Sequence, residues 1–225
     1  MTKLRMMSLR FSPSITMSEL PKFRGAVIAA AGKENTLFHN HTDEGFAYRY
    51  PLVQYRVMGG KAAMVCLNDG IEQMQSLLSG NFLMQPQNFA GRTEQIVVED
   101  LRVNEFELCF LEQPVRYHIS HWLAFNQENY RQWRALATDE ERVAKLNALL
   151  VGNIISFAKG VGWQLEERVE INIDFATIGT RYTNYKGKRL VAITAEFDAN
   201  IFLPRGIALG KGVSLNKGVV TIARQ

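Results

Sequence analysis

The sequence predicts an α+β protein built from two similar lobes in tandem. Residues 1–112 show the order strand, helix, strand, strand, helix, strand. A similar order begins again over residues 113–225, with Pro114 at the boundary. A β-α-β-β-α-β unit covers one face of its sheet with two helices and leaves the other face free, which is the ferredoxin-like (RRM-like) arrangement. We therefore expect two ferredoxin-like lobes.

Periodicity and turn residues predict the elements of the first lobe. Lys3 to Phe11 partly alternate in polarity, as a strand does. Ser18 is a candidate cap for a helix that carries Pro21 in its first turn and ends at Gly32. The remaining elements are a predicted hairpin of strands over 52–57 and 62–67, a short helix over 71–78, and a strand or hairpin over 95–110.

The second lobe begins with a strand-like run over 117–125. Asn126 is a candidate cap for a helix that contains Tyr130 and Trp133, whose helical spacing, shared by Phe157, assigns them to the core. Thr138 and Glu141 form the pattern of a capping box for a longer helix that ends near Gly160. Further strands are predicted over 163–175, 189–197 and 213–223.

Composition indicates a soluble globular protein, with 47% hydrophobic and 21% charged residues. Its apolar runs are short, and none reaches the ~18 residues that a membrane span needs. The first residues lack the unbroken apolar core of a signal peptide. We expect a cytoplasmic protein that does not bind membranes, with Cys66 and Cys109 as free, buried thiols.

The positive charge is concentrated near the C-terminus. Residues 175–225 carry a net charge of +6 and residues 1–174 a net charge of −2. Such a concentration favours a polyanionic partner, and a solvated basic face is the alternative. Within it, RYTNYKGKR combines two tyrosines with cations, as a hairpin that grips RNA would. Its candidate RNA-binding residues are Arg181, Lys186, Lys188 and Arg189.

Residues 204–218, PRGIALGKGVSLNKG, contain four glycines and three basic residues but no acid. Glycine allows backbone N–H groups to approach a phosphate closely, and the interleaved cations bind phosphate without reading sequence. Glycine-rich turns between strands often only turn the chain, so this alternative stays open. The candidate RNA-binding residues here are Arg205, Gly210, Lys211, Gly212, Lys217 and Gly218.

The stretch LFHNHTDEGFAYRYP, residues 37–51, holds two of the four histidines. On an extended segment, His39 and His41 would face the same side, because side chains repeat every two residues. Imidazoles transfer protons near neutral pH. A zinc site with Asp43 is an alternative that lacks a fourth ligand nearby, and a loop whose histidines bond to the backbone is another.

Several blocks occur together in one order over about residues 20–222: LFHNH, YPLVQYRV, LAFNQENY, GNIISFAKGVG and LGKGVSLNKG. In this the chain resembles the CRISPR-associated repeat-cleaving endoribonucleases, the b-type branch of the Cas-six family in the RAMP superfamily. The resemblance implies a pair of ferredoxin-like folds, a glycine-rich loop that contacts RNA, and metal-independent cleavage of precursor CRISPR RNA without a cofactor. It also implies a catalytic role for His41, with His39 and Tyr48 beside it.

One departure concerns the end of the glycine-rich loop. The family loop typically ends in glycine, aromatic, glycine, whereas this chain has Gly218, Val219 and Val220. The departure affects the expected RNA contact and none of the expected catalytic groups.

RNA supplies its own nucleophile, the 2′-hydroxyl, so a nuclease that uses it needs a base, an acid and positive charge. We expect His41 to be the base, His39 or Tyr48 to assist or act as the acid, and Arg49 or Lys33 to stabilise charge. The expected products carry a 2′,3′-cyclic phosphate and a 5′-hydroxyl.

Two rival functions use other residues. His118 and His121 lie near an H-x-S pattern that would favour a cyclic phosphodiesterase, but only one such pattern is present. A RAMP subunit that holds guide RNA without cutting it is the second rival. CRISPR repeat RNA is the expected partner, and other Cas proteins of an interference complex and a second copy of the chain are further candidates.

Overall fold

The computed structural model describes residues 2–32, 35–38, 41–42, 45–46 and 50–223, with backbone alone for 36, 41–42 and 45–46. The chain divides into two compact units. The N-terminal unit comprises Lys3–Glu107 together with Ser214–Asn216, and the C-terminal unit consists mainly of Leu108–Val213 and 217–223.

The N-terminal unit contains eight described strands and two α-helices, with a 3-10 turn over Thr36–Phe38. In chain order they are β1 (Thr2–Ser14), α1 (Leu20–Ala31), β2 (His41–Thr42), β3 (Gly45–Phe46), β4 (Val53–Met58), β5 (Lys61–Leu67), α2 (Asp69–Ser79), β6 (Gln87–Phe89), β7 (Arg92–Glu94) and β8 (Val98–Leu108).

The main sheet of this unit has the strand order β4-β5-β1-β8. Strand β1 pairs antiparallel with β5, placing Met6 opposite Leu67. Numbered within the β-α-β-β-α-β unit, the order is 2-3-1-4, which is the ferredoxin-like topology. Apolar side chains of the sheet and of α1 and α2 form one core, in which Phe11 and Phe23 are fully buried.

The predicted hairpin of β4 and β5 is confirmed. Gly59 and Gly60 connect the strands, and both have positive φ, at +59° and +75°. A two-residue turn with positive φ at both central positions matches the right-handed twist of the paired strands.

The predicted cap of α1 is wrong. Helix α1 begins at Leu20, after Glu19, and no side chain caps it. The Ser18 hydroxyl instead lies 2.8 Å from that of Thr16, and the Glu19 carboxylate accepts a hydrogen bond from the Thr16 N–H at 2.8 Å. These local bonds form a tight turn ahead of the helix. The Ser18 hydroxyl takes part in this turn and does not cap the helix.

The C-terminal unit continues with β9 (Phe110–Trp122), α3 (Gln127–Ala135), α4 (Asp139–Gly160), β10 (Ile171–Ile173), β11 (Gly179–Tyr185), β12 (Lys188–Ile201) and β13 (Val219–Ile222). Its sheet has the order β10-β12-β9-β13, and β11 also pairs with β12. This is again the ferredoxin-like order, so the predicted fold class is confirmed. The first crossover carries α3 and α4, whereas the second, residues 202–218, contains no helix.

The capping box of α4 is confirmed. The Glu141 N–H donates to the Thr138 hydroxyl at 3.2 Å, and the Glu141 carboxylate accepts from the Thr138 N–H at 3.1 Å. The buried stripe of the helix recurs at helical spacing, at Leu146, Leu150, Ile154 and Phe157. Neither α4 nor any other described helix combines the length and apolar character needed to cross a membrane.

Two strands of this unit are shorter than predicted. The strand predicted over 163–175 is reduced to Ile171–Ile173, where pairing with β12 fixes the backbone, and the one predicted over 213–223 is reduced to Val219–Ile222, where pairing with β9 fixes it.

The predicted burial of three side chains is wrong. Helix α3 contains no buried residue, so Tyr130 and Trp133 are half-buried rather than in the core, whereas Phe157 is fully buried. Both cysteines are free as expected, but only Cys66 is buried, and Cys109 is half-buried.

We predict that Gly218→Ala strongly destabilises the protein. Gly218 has φ +67°, and an added Cβ would overlap the backbone carbonyl oxygen of Leu209. Since backbone cannot move aside as a flexible side chain can, we expect a loss of about 3 kcal/mol or more in the free energy of unfolding, measured by urea titration.

Gly162→Ala is the matched control. Gly162 lies in the same unit with φ +76°, and no atom lies within 4 Å of its added Cβ. Only the backbone preference is lost there, so the expected cost is about 1 kcal/mol. Equal losses in the two variants would contradict the packing argument.

Candidate functional site

The histidine segment belongs to the N-terminal unit. Strands β2 and β3 pair antiparallel, with His41 opposite Phe46. His39 and Tyr48 lie outside the described residues, as do Lys33 and Arg49. The catalytic assignment of His41, His39 and Tyr48 therefore stays a prediction.

Both ends of this segment are anchored in the core of the N-terminal unit. Phe38 is buried, and its carbonyl accepts a hydrogen bond from the Tyr55 hydroxyl at 3.2 Å. Tyr50 is also buried, and its hydroxyl accepts from the Gln54 amide at 3.0 Å. Burial raises the pKa of Tyr55, which keeps this hydroxyl a neutral donor. Two neighbouring residues of strand β4 thus hold the flanks of the histidine segment.

The predicted basic hairpin is present, formed by β11 and β12. Its turn residues Lys186 and Gly187 both have positive φ. Arg181 lies opposite Ala192, and Tyr182 lies opposite Val191. Because successive side chains alternate between the faces of a sheet, Arg181 and Tyr182 belong to opposite faces. The basic segment therefore forms two separate surfaces.

One surface holds a group that we name the cationic cluster: His121, Arg181, Thr183 and Lys217. Lys217 is only 8% exposed, and its ammonium donates to the Thr183 hydroxyl at 3.4 Å. Burial lowers the pKa of the Lys217 ammonium. Burial also lowers the pKa of His121, helped by the positive charges of Lys217 and Arg181. Such a cluster favours an anion as ligand, because an anion would relieve this repulsion.

His121 owes its position to a β-bulge. Ile119 pairs with Ala195 and Trp122 pairs with Ile193, so Ser120 and His121 together oppose Thr194 alone. The backbone of His121 has φ +50°, a conformation unusual for a non-glycine residue. Bulges are frequent next to functional sites, where they redirect a side chain.

The other surface combines aromatic rings with cations. The Arg189 guanidinium lies over the Tyr182 ring, 4.2 Å from its centroid. Tyr182 also lies near Tyr130 of α3, and this neighbour, together with burial, raises the pKa of the Tyr130 hydroxyl. Sequence analysis assigned Tyr130 to the core and considered His121 only for a rival phosphodiesterase, so it placed neither residue on these surfaces.

The glycines of the second crossover are required by packing within the C-terminal unit. An added Cβ at Gly210 would lie 2.6 Å from the Trp122 indole nitrogen, which donates to Asn153. At Gly212 it would lie 3.0 Å from both Tyr185 and Lys217. Packing thus explains glycine at these positions, as it does at Gly218, and their contact with RNA stays a prediction.

Many cations of both units form salt bridges, but several of the predicted RNA-binding cations do not. In the N-terminal unit Lys3 pairs with Glu105, Arg5 with Glu72, Arg10 and Lys61 with Glu99, and Arg92 with Glu19 and Glu94. In the C-terminal unit no described carboxylate lies within salt-bridge distance of the following predicted RNA-binding cations: Arg181, Lys188, Arg189, Arg205, Lys211 and Lys217.

The nearby acids are engaged elsewhere. Arg116 bonds to Glu196 at 2.8 Å and also pairs with Asp174 and Asp198. Glu196 and Asp198 are the acids of residues 175–225. The six cations named above therefore have no carboxylate partner among the described residues, which favours a polyanionic ligand.

Comparison with known proteins identifies the family. The profile of the Cas6b N-terminal domain matches residues 2–106, and that of the Cas6b C-terminal domain matches residues 109–223. The chain belongs to the Cas6b family. The family membership predicted from the sequence blocks is thereby confirmed.

Solved Cas6b structures share the fold. A crystal structure of Cas6b has a TM-score of 0.85 at 22% identity and covers 99% of this chain and 100% of the other. A second, a CRISPR RNA processing endoribonuclease Cas6b, has a TM-score of 0.73 at 21% identity, with the same coverage. An uncharacterized protein of Methanocaldococcus jannaschii is 29% identical over 129 residues, which are 55% of this Cas6b chain and 83% of the relative.

The described residues contain no group of three or more histidine, cysteine, aspartate or glutamate side chains arranged to hold a metal ion. The zinc alternative at His39, His41 and Asp43 falls outside the described side chains.

We predict that Lys217→Met raises stability while it weakens RNA binding. The variant removes the desolvation penalty of a buried cation, so we expect a gain of about 1 kcal/mol, or about 2–4 °C in the unfolding midpoint at pH 7. Folded Lys217 releases its proton more readily than unfolded Lys217, so the gain shrinks as the pH rises towards 10. Loss of one phosphate contact reduces the salt slope of RNA affinity by about 0.7–0.9.

Thermal unfolding and fluorescence anisotropy at several salt concentrations measure these effects. Lys159→Met on the exposed face of α4 is the control and should change neither property. A Lys217→Met protein that is less stable, with unchanged RNA affinity, would identify Lys217 as purely structural.

We predict that His121→Asn reduces the loss of stability in acid. The folded pKa of His121 lies below its unfolded value, so the unfolded chain binds more protons and stability falls as the pH drops through about 6.5. Asparagine tolerates positive φ and does not titrate. Urea midpoints at pH 7.5 and pH 5 should differ less in the variant, and an unchanged difference would refute this role.

Proposed function

We propose that this Cas6b protein is an endoribonuclease that cuts precursor CRISPR RNA once within each repeat, without a metal ion. The match of both Cas6b domain profiles, which together span residues 2–106 and 109–223, carries the proposal. The similar Cas6b described as a CRISPR RNA processing endoribonuclease supports it.

The proposed chemistry uses the 2′-hydroxyl of the RNA. His41 takes the proton of this hydroxyl, and the 2′-oxygen attacks the adjacent phosphorus. The bond from phosphorus to the 5′-oxygen breaks, and His39 or Tyr48 returns a proton to the leaving oxygen. Arg49 or Lys33 stabilises the charge of the phosphorane. The products carry a 2′,3′-cyclic phosphate and a 5′-hydroxyl, so atoms and protons balance without water.

The anchoring of the histidine segment supports this assignment. Buried Phe38 and Tyr50 hold the flanks of the segment through Tyr55 and Gln54. Catalytic groups need such a rigid support, because a displacement of about 1 Å can cost 100-fold in rate.

The unpaired cations of the C-terminal unit support RNA binding. They are arranged on the β11–β12 hairpin and on the glycine-rich segment, and they bind the backbone through charge rather than sequence. Cleaved RNA would then pass to other Cas proteins of an interference complex, and a second copy of the chain is a further candidate partner.

A guide-holding subunit without nuclease activity is the second candidate. The same unpaired cations favour it, because they explain RNA binding without any catalytic group. A subunit that only holds RNA would, however, have no chemical need for His39 and His41.

We predict that His41→Ala lowers the cleavage rate by a factor of about 100 to 10,000, the contribution of general acid–base catalysis. Single-turnover cleavage of the chain's own repeat RNA, in the presence of EDTA, measures this. The wild-type rate should not change with EDTA, and end-group analysis should find the cyclic phosphate.

His118→Ala is the matched control, because it also replaces a histidine by alanine, but in the C-terminal unit and outside the histidine segment. It should cleave at the wild-type rate. Cleavage that disappears with EDTA would point to a metal enzyme, and tight binding of uncut RNA by the wild type would point to the guide-holding subunit.

A further inference from the structure

A pocket of about 740 Å³ lies between the start of α3 and the β11–β12 hairpin. Its lining combines Phe125 and Tyr130 with Tyr182, Lys188, Arg189 and Lys211. All of these residues belong to the C-terminal unit, and the volume lies in the range of small-ligand sites.

One wall of the pocket is aromatic. The Phe125 ring lies 5.6 Å from that of Tyr130 and 5.1 Å from that of Trp133, between centroids. Tyr130 and Trp133 are stacked at 6.4 Å. Phe125 is buried and supports this wall from behind, whereas Tyr130 and Trp133 on α3 are only half-buried, so the Tyr130 ring can present a face to a planar ligand.

The opposite side is cationic. Lys188, Arg189 and Lys211 line it, and none of them has a salt bridge to a described carboxylate. The pocket does contain Glu128, which accepts a hydrogen bond from Gln132 at 2.9 Å and pairs with Arg131 on its own helix. Positive charge therefore dominates on the side of the hairpin.

Polar groups at the floor could fix the orientation of a ligand. The Asn126 side-chain oxygen accepts from the Asn129 N–H at 2.7 Å as the cap of α3, which leaves its amide N–H groups as donors. Burial and the hydrogen bond with Tyr182 raise the pKa of the Tyr130 hydroxyl, and this bond links α3 to the hairpin beside the pocket.

We propose that this pocket binds one unpaired nucleotide of the RNA, its base against the rings of Tyr130 and Tyr182 and its flanking phosphates on Lys188 and Lys211. Single-stranded RNA is recognised by unstacked bases on aromatic rings and guanidinium planes. A base inside a helix has both faces covered by its stacked neighbours, so it cannot stack on these rings. The inference rests on the proposed function, since it places part of the substrate.

The test uses the His41→Ala protein, so that RNA stays uncut. Fluorescence anisotropy measures its affinity for the chain's own repeat RNA, in which abasic sites replace one base at a time. Stacking of a base on aromatic rings predicts a 5- to 100-fold loss of affinity at one position. In the Tyr182→Ala variant the same abasic site should cost clearly less, because the base has then already lost its contact with this ring and keeps only the one with Tyr130.

Tyr182→Phe keeps the ring and is the control, with affinity within about 2-fold of the parent. Tyr182 is 59% exposed, so neither variant removes a core residue. Abasic losses that are equal with and without the Tyr182 ring would overturn the proposal. Adenosine or uridine monophosphate that competes as strongly as RNA would overturn it too, in favour of a free nucleotide.

The two proposals fail separately. If wild-type protein cleaves RNA but Tyr182 has no base-dependent effect, only the pocket is refuted. If Tyr182-dependent binding is present and the wild type does not cleave, only the nuclease proposal is refuted.

Discussion

Backbone pairing along β12 is the constraint on which the C-terminal unit depends. Residues Ile193–Ile201 of this strand pair with β9 and place alternate side chains in the core. Residues 188–194 pair with β11 and carry the basic hairpin. One continuous strand thus extends the rigidity of the sheet into the basic hairpin, and rigid elements hold binding groups more accurately than loops do.

The distribution of carboxylates decides where positive charge remains available. Arg116 pairs with three acids, among them Glu196 and Asp198, the acids of residues 175–225. Lys217 is buried with a hydroxyl rather than a carboxylate as its partner. Such an arrangement lowers the stability of the free protein and favours an anionic ligand, a trade that is common at functional sites.

Local patterns predicted the elements whose determinants are local. The α4 capping box and the two-glycine turn between β4 and β5 are set by residues within four positions of each other. The strand predicted over 163–175 failed because its short real part, Ile171–Ile173, is fixed by partners about 25 residues away. Ser18 failed because Thr16 and Glu19 formed a competing turn.

The candidate site was harder to predict than the fold. The helical spacing of Tyr130 and Trp133 indicates that they share one face of the helix. Spacing alone cannot distinguish a face that packs in the core from one that lies at the surface beside a pocket. The bulge at His121 becomes visible only when strand partners are counted. The sequence did show that cations are concentrated after residue 175. This concentration correctly indicated that the predicted RNA-binding cations without a described salt bridge lie in the C-terminal unit.

The environment of the three tryptophans has a spectroscopic consequence. Trp122 and Trp163 are buried, whereas the half-buried indole of Trp133 packs against Phe125 and Tyr130, which line the pocket. We therefore expect a nucleotide bound in the pocket to change the emission of Trp133, so that occupancy can be followed without attaching a dye.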